Sequence, residues 1–369
     1  MYKKYIKKSI LIFSILIFSI MLINFTVDPG EIYLKKIIAD KKAAEFSDEL
    51  FNSQYGIIQS GWNERLIKTT LARRSGEFDC IIVGSSHIMQ ISSIRNTGKI
   101  KTQCSKLLNL GVSGGSIEDI AIFSYLILNN PTLPKRVFID IDPWSLKFNM
   151  DSRHGAYQEL YNSMNILLQD KSSVSTSYYL KGLKNLINGE YLYYSLESLF
   201  GKNKKQSSLK SIFNKKITSP TTSFSYKEGY KESLTLPDGS HLYSSSYIKK
   251  QKTNNPNITL GGGDYKITGK IYEQTAVDYL QKLLYLYELN HVNVSFILTP
   301  YHPNVFKKGD TKAVQFIRII EEKTIQLAKI NNIKIYGSFF PEKIGCNSNE
   351  YFDFMHATNE CLNRINFSE

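Results

Sequence analysis

The sequence predicts an α/β protein: a three-layer α/β/α sandwich around a mainly parallel central sheet, preceded by an N-terminal transmembrane helix. Three observations lead there. Apolar strand-like runs alternate with segments of helical apolar spacing in two stretches, residues 78–150 and 270–369. The runs are short, continuous and rich in β-branched residues, as strands buried on both faces require. An uncharged run from Ser9 to Val27 has the length needed to cross a bilayer as a helix.

At the N-terminus, Lys3, Lys4, Lys7 and Lys8 precede the apolar run, and Asp28 and Glu31 follow it. This asymmetry predicts a cytoplasmic N-terminus and a periplasmic or extracellular body. No small-x-small cleavage site follows, which favours a retained signal anchor over a cleaved peptide. Residues 1–28 therefore read as cytoplasmic tip and anchor. Residues 29–77 read as a juxtamembrane, mostly helical lead-in, with Trp62 as an anchor on the domain or the bilayer.

The core then begins with a strand, Cys80 to Val83, that stops at Gly84-Ser85-Ser86-His87. A second, Leu107 to Val112, ends in Ser113-Gly114-Gly115-Ser116. It opens a helix, Ile117 to Leu128, whose first turn carries Glu118 and Asp119 against the helix dipole. A third, Arg136 to Ile141, ends in Asp142-Pro143-Trp144, where proline stops strand pairing. Residues 151–269 turn to Tyr, Ser, Lys and Asn, with helical stretches around 157–168 and 178–199, and close on Gly261-Gly262-Gly263; they read as an insertion or cap. The core resumes with a helix (272–289), a strand (292–298) and its exit loop Thr299-Pro300-Tyr301-His302-Pro303. A helix (313–330) and a fifth strand (333–336) follow, and the chain closes around Asp353-Phe354-Met355-His356.

In open α/β sheets ligands bind beyond the carboxyl ends of the strands, so the polar residues at these exits are the candidate site. A serine hydroxyl needs an imidazole to accept its proton and a carboxylate to orient that imidazole. Ser86, His356 and Asp353 are the candidates. The three-residue spacing keeps Asp353 and His356 on one side of a turn. Asn109, Asp142, Trp144, Tyr301 and His302 stand at the other exits as candidate substrate contacts. His87 adjoins Ser86 but points away from it, flanking the pocket. Cys346 and Cys361 bracket the Asp353/His356 segment and are expected to pair in an oxidising compartment. Cys80 and Cys104 form a second bridge or remain small buried residues. No metal-ligand spacing occurs and no cofactor is called for. The net charge of +13 favours anionic surroundings, and no nucleic-acid-binding module accompanies it.

Together, the run ending in Gly-Ser-Ser, the Leu107-Leu108-Asn109-Leu110-Gly111-Val112-Ser113-Gly114-Gly115-Ser116 segment, the α/β alternation and the late Asp353-Phe354-Met355-His356 resemble the SGNH or GDSL-like hydrolase superfamily. The chain is most similar to its membrane-anchored, extracytoplasmic branch, which includes proteins that help D-alanylate teichoic acids or acetylate alginate. The resemblance implies that Ser86 is the nucleophile, that Asp353 and His356 complete the triad, and that the N–H groups of Ser86 and of Gly114 or Gly111, with Gly114 preferred, hold the oxyanion. The family's third block, GxND, contributes an asparagine donor, whereas this chain has Asp142, which when ionised cannot donate. The expected function is a serine esterase or O-acyltransferase acting on a surface or exported polysaccharide. The alternative is a non-catalytic glycan-binding or accessory protein of an acyltransferase. The expected partners are an acylated glycan, membrane lipid around the N-terminal helix, and a membrane-bound O-acyltransferase.

Overall fold

The computed structural model describes residues 2–28, 33–59, 64–95, 99–169, 186–200, 215–217, 233–254, 266–267, 269–307, 309 and 311–367. Trp62, the lysine cluster at 202–205 and Gly261 to Gly263 lie outside them. The chain begins with α1 (Tyr2–Val27), α2 (Leu34–Asn52), β1 (Ile57–Gln59) and α3 (Glu64–Ala72). The core follows as β2 (Cys80–Val83), β3 (Leu107–Asn109), α4 (Ile117–Leu128) and β4 (Arg136–Asp140). Next come α5 (Gln158–Leu167), α6 (Gly189–Phe200), β5 (Lys215–Ile217), β6 (Leu234–Thr235), β7 (His241–Leu242) and α7 (Ser245–Asn254). The chain ends with α8 (Gln274–Leu289), β8 (Asn293–Leu298), α9 (Lys312–Ile330), β9 (Lys334–Gly337) and two short helices, α10 (Pro341–Ile344) and α11 (Asn359–Leu362).

The five strands read from the sequence form one sheet in the order β3-β2-β4-β8-β9, parallel at every pairing. From β2 the chain steps to one side for β3, then returns across β2 for β4. The strand order therefore reverses at β2, the point beyond whose strand ends open α/β sheets place their ligands. Successive residues enter different clusters, as the strand period of two demands. Ile81, Val83, Val137 and Ile139 join a core with Phe46, Ile67, Ile120, Leu280 and Ile317. Cys80, Ile82 and Phe138 join a second with Ile100, Tyr351, Leu362 and Phe367. Two disulfides, Cys80–Cys104 and Cys346–Cys361, fasten that second cluster. Both cysteine pairs are thus bridged, including the one the sequence left open.

The lead-in and the insertion differ from expectation. Phe46 and Leu50 of α2 and Leu66, Ile67 and Leu71 of α3 belong to the main core. Between them, β1 is the second strand of an antiparallel sheet, β5-β1-β6-β7, whose other strands come from the insertion. Lys68 of α3 is buried and donates to the carbonyls of Asn109 (2.8 Å) and Gly239 (2.5 Å), one in the core and one in the insertion. Burial pulls its ammonium down to about 8, against the opposing attraction of Glu64 and Asp238. Asp238 in turn accepts from Ser92 Oγ (2.6 Å) and Ser93 N–H (2.9 Å). Lead-in, core and this part of the insertion are one folded unit.

Helix α1 leaves most of its apolar surface bare. Its most apolar window has a mean hydropathy of 2.6 and is 6% buried, so by length and composition it can cross a membrane.

The Cys346–Cys361 bridge closes a 15-residue separation around Asp353 and His356. Replacing both cysteines by serine should lower the unfolding free energy by about 3 kcal/mol, the chain-entropy value for such a loop. Urea unfolding of the double variant under non-reducing conditions measures it. A loss below about 1 kcal/mol would mean that the loop is held by its packing alone.

Candidate active site

Strand β2 ends in a corner that only glycine can form. Gly84 has φ +155°, and a Cβ there would lie 2.2 Å from Asp140 Cβ on the neighbouring strand. Ser85 then caps a short 3-10 turn, Ser86–Ile88, by accepting the His87 N–H at 3.1 Å. Ser86 opens that turn, half-buried between residues that are fully buried.

The other half of the site comes from the far end of the chain. Tyr351 pairs with Ala357 across a narrow hairpin, and the Phe352 N–H donates to the His356 carbonyl at 2.9 Å. At the tip, Asp353 Oδ1 accepts the N–H groups of Met355 (2.9 Å) and His356 (2.8 Å), an Asx turn that fixes the carboxylate. The spacing predicted from sequence is realised on this turn.

Ser86 and His356, 270 residues apart, meet with Oγ 2.8 Å from Nε2. His356 Nδ1 lies 2.7 Å from Asp353 Oδ2. Ionised Asp353 can only accept, so it fixes the proton on Nδ1 and leaves the Nε2 lone pair for the serine hydroxyl. Burial would raise the Asp353 carboxyl. The adjacent imidazole and two backbone N–H groups outweigh it and bring the carboxyl down to about 2.

The Ser113-Gly114-Gly115 corner packs directly on the Ser86 corner. The Val112 N–H donates to the Gly84 carbonyl at 3.1 Å, and a Cβ on Gly115 would lie 2.5 Å from that same oxygen. Gly111 is excluded as a free donor because its N–H donates to Asn109 Oδ1 at 2.9 Å. The N–H groups of Ser86 and Gly114 donate to no acceptor among the described residues. Gly114 lies three residues before α4, in a turn with φ +61°, rather than at the helix start.

Every carbonyl of that corner is held from outside. Ser113 O accepts from Arg153 Nη2 (2.6 Å) and Arg65 Nη2 (3.3 Å), Gly114 O from Lys266 Nζ (2.9 Å), and Gly115 O from Trp144 Nε1 (2.8 Å). Glu64 accepts the Ser113 N–H at 2.6 Å. Arg65 is locked in turn by Asp119, which accepts from its Nε and Nη2 at 2.7 and 2.9 Å. Sequence reading missed Glu64, Arg65, Arg153 and Lys266. They lie on the lead-in and at the edges of the insertion, and no local pattern links them to the corner.

The five expected substrate contacts are buried and turned inward. Asn109 donates to the carbonyls of Ile88 (2.7 Å) and Ile91 (2.9 Å), so its amide is spent on shaping the Ser86 turn. Trp144 is consumed by Gly115 O. His302 Nδ1 accepts the Asn304 N–H at 3.0 Å and its Nε2 faces Ser348 O at 3.0 Å, while its backbone N–H holds the Phe354 carbonyl at 2.9 Å. Tyr301 is fully buried, and its ring packs edge-on against His87.

Asp142 is not at the cleft. Its Oδ1 lies 2.7 Å from His87 Nδ1, off the line of a good hydrogen bond, and both side chains are 1% exposed. His87 thus sits behind the site, its ring edge-on to Trp144, Tyr301 and His356 at centroid distances of 5.4, 5.6 and 5.3 Å. Asp140 lies alongside, accepting from the Ser85 N–H at 3.2 Å. Burial, and then the neighbouring Asp142 charge, push the Asp140 carboxyl well above the usual range.

Compared with known proteins, the chain matches no family model and no curated sequence.

The depressed Asp353 carboxyl has a pH consequence. The unfolded chain takes up this proton near pH 4 and the folded chain only near pH 2, so the stability this group contributes is complete above about pH 5 and is lost as pH falls through that window. Urea unfolding at pH 6 and pH 2 should show the gap between the protein and its Asp353→Asn variant narrowing at the lower pH. A gap independent of pH would mean that the carboxylate is not held in its charged form.

Proposed function

We propose that this chain is a membrane-anchored, extracytoplasmic acyl-transfer enzyme of SGNH type, with the three-layer α/β/α architecture that the resemblance implies. It acts on an acyl group carried by a surface or exported polysaccharide, as esterase or O-acyltransferase. The observation that carries the reading is the relay from Ser86 Oγ through His356 to Asp353, at 2.8 and 2.7 Å, beside two unused backbone N–H groups. Helix α1 and the two disulfides support an anchored body in an oxidising compartment.

In this reading His356 Nε2 accepts the hydroxyl proton as Ser86 Oγ attacks the acyl carbonyl, and Asp353 stabilises the imidazolium that forms. The developing oxyanion is held by the N–H groups of Ser86 and Gly114. Collapse expels the alcohol or thiol, which takes the proton from His356 and leaves an acyl-serine. Water or a sugar hydroxyl, deprotonated by the same imidazole, then takes the acyl group. Hydrolysis and transfer differ only in that acceptor.

The Gly114 donor is strengthened from behind. Its N–H belongs to the peptide unit whose carbonyl is Ser113 O, and that oxygen accepts from two guanidiniums. No peptide bond in the described chain is cis, so the N–H points opposite to the carbonyl. Cationic donors on the oxygen polarise the N–H, an increase of roughly 10–30% per bond by cooperative estimates.

Labelling of the full-length protein in detergent with a fluorophosphonate probe tests the nucleophile. Ser86→Ala should abolish labelling, and labelling that survives this change would overturn the assignment. In cells, loss of polysaccharide O-acetyl groups on the same change supports transfer, and gain supports hydrolysis.

Arg153→Ala should slow labelling about tenfold, less than the roughly hundred- to thousandfold cost of a lost oxyanion donor. Arg153→Lys should recover part of the rate, and the melting curve should be unchanged. Equal rates for all three proteins would show that the Ser113 peptide is not polarised in the reaction.

A further inference from the structure

We infer that α6, the helix Gly189–Phe200 of the insertion, inserts into one leaflet of the membrane beside the C-terminal end of α1, so that the insertion binds lipid. This rests on α1 crossing the bilayer, and is independent of the chemistry at Ser86. The polar residues of α1 show where the second helix belongs. Ser19 and Thr26 satisfy their hydroxyls within the helix, on the carbonyls of Ile15 (2.9 Å) and Leu22 (2.8 Å). Asn24 is instead fully buried against the insertion. Its Nδ2 donates to Leu186 O at 2.9 Å, and its Oδ1 accepts from Ser195 Oγ at 3.0 Å. One turn on, Asp28 accepts from Tyr191 OH at 2.9 Å. Buried side-chain amides of this kind join helices inside membranes.

Pairing of 24 with 195 and of 28 with 191 runs the two helices antiparallel, so α6 extends from the body towards the lipid-facing part of α1. An apolar strip of its outer surface is exposed: Leu196, Leu199 and Phe200 are 39%, 48% and 81% exposed. This surface is continuous with the bare apolar surface of α1, where Phe18 and Leu22 are 66% and 52% exposed. Twelve residues give a helix of about 18 Å, too short for the ~30 Å hydrocarbon core, so α6 enters one leaflet only. The occupant of the α6 face is thus phospholipid.

The test uses the full-length chain in phosphatidylcholine–phosphatidylglycerol vesicles. A fluorophore is attached at Leu199→Cys or, as control, at Phe18→Cys, the four native cysteines being paired. Quenching by nitroxide-labelled acyl chains is compared with quenching by aqueous iodide. The expected result is lipid quenching at 199 within about twofold of that at 18, with protection from iodide. Adding Asn24→Leu should raise iodide access at 199 severalfold. If 18 is quenched by lipid while 199 is open to iodide, the inference fails and the anchor stands. Shielding of 199 from both quenchers overturns it in favour of a second copy of the chain covering α6. Failure of lipid quenching at 18 removes the anchor reading and this inference with it, leaving the Ser86 chemistry untouched.

Discussion

The backbone of Gly84 is wedged between Asp140 on one neighbouring strand and Gly115 in the corner that follows the other, and neither contact has room for a Cβ. Three strand exits are therefore held in one register, by the Asp140 side chain on one side of Gly84 and by backbone on the other. Because β2 pairs with both β3 and β4, any shift of one exit would break the contacts of the other two. Ser86 is consequently set by the sheet and not by its loop. His356, arriving on a hairpin closed by a disulfide and held through Phe354 O, meets a hydroxyl whose position is already determined.

Behind that hydroxyl lies a small buried acid–base cluster, Asp140, Asp142 and His87, enclosed by Trp144 and Tyr301. Such groups are expensive to desolvate, and a buried pair adds little net stability. Geometry is what the cluster provides. Asp140 reaches the Ser85 N–H and His87 supports the His356 ring from its edge, so both partners of the Ser86–His356 contact lean on it. Burial and the neighbouring Asp142 charge push the Asp140 carboxyl up, which favours its neutral form and eases the repulsion between the two acids.

What could be read from the sequence was whatever is encoded locally. Continuous apolar runs ending in polar or glycine residues located the five parallel strands, and the three-residue spacing placed Asp353 and His356 on one side of a turn. The joining of chain ends was not legible. Strand β1 is three residues of the lead-in whose partners lie beyond position 214, and pairings of that span leave no period in the sequence. Nor did the exits reveal which polar residues face the cleft. Asn109, Asp142, Trp144, Tyr301 and His302 occupy loop positions where polar groups usually meet solvent, yet each is directed into the interior. Residue type at a strand end reports that hydrogen bonding is needed, not on which side the partner lies.

The same limit applies to the oxyanion hole. Asp142 stands where the family's asparagine was expected, and its carboxylate is committed to His87. Losing such a donor costs about 2.7–4 kcal/mol of transition-state stabilisation. Polarisation of the Gly114 N–H by the nearer guanidinium, Arg153 at 2.6 Å, taken as 10–30% of an amide hydrogen bond worth about 4–6 kcal/mol in a dry site, returns roughly 0.4–1.8 kcal/mol, and the longer Arg65 contact adds less. The compensation is partial under the proposed chemistry. An enzyme with that shortfall is matched to an acyl donor whose leaving group departs easily, such as a thioester or another activated ester, more than to a stable sugar ester. Under the proposed function, a site short of one donor favours an activated acyl donor, whichever acceptor then takes the acyl group.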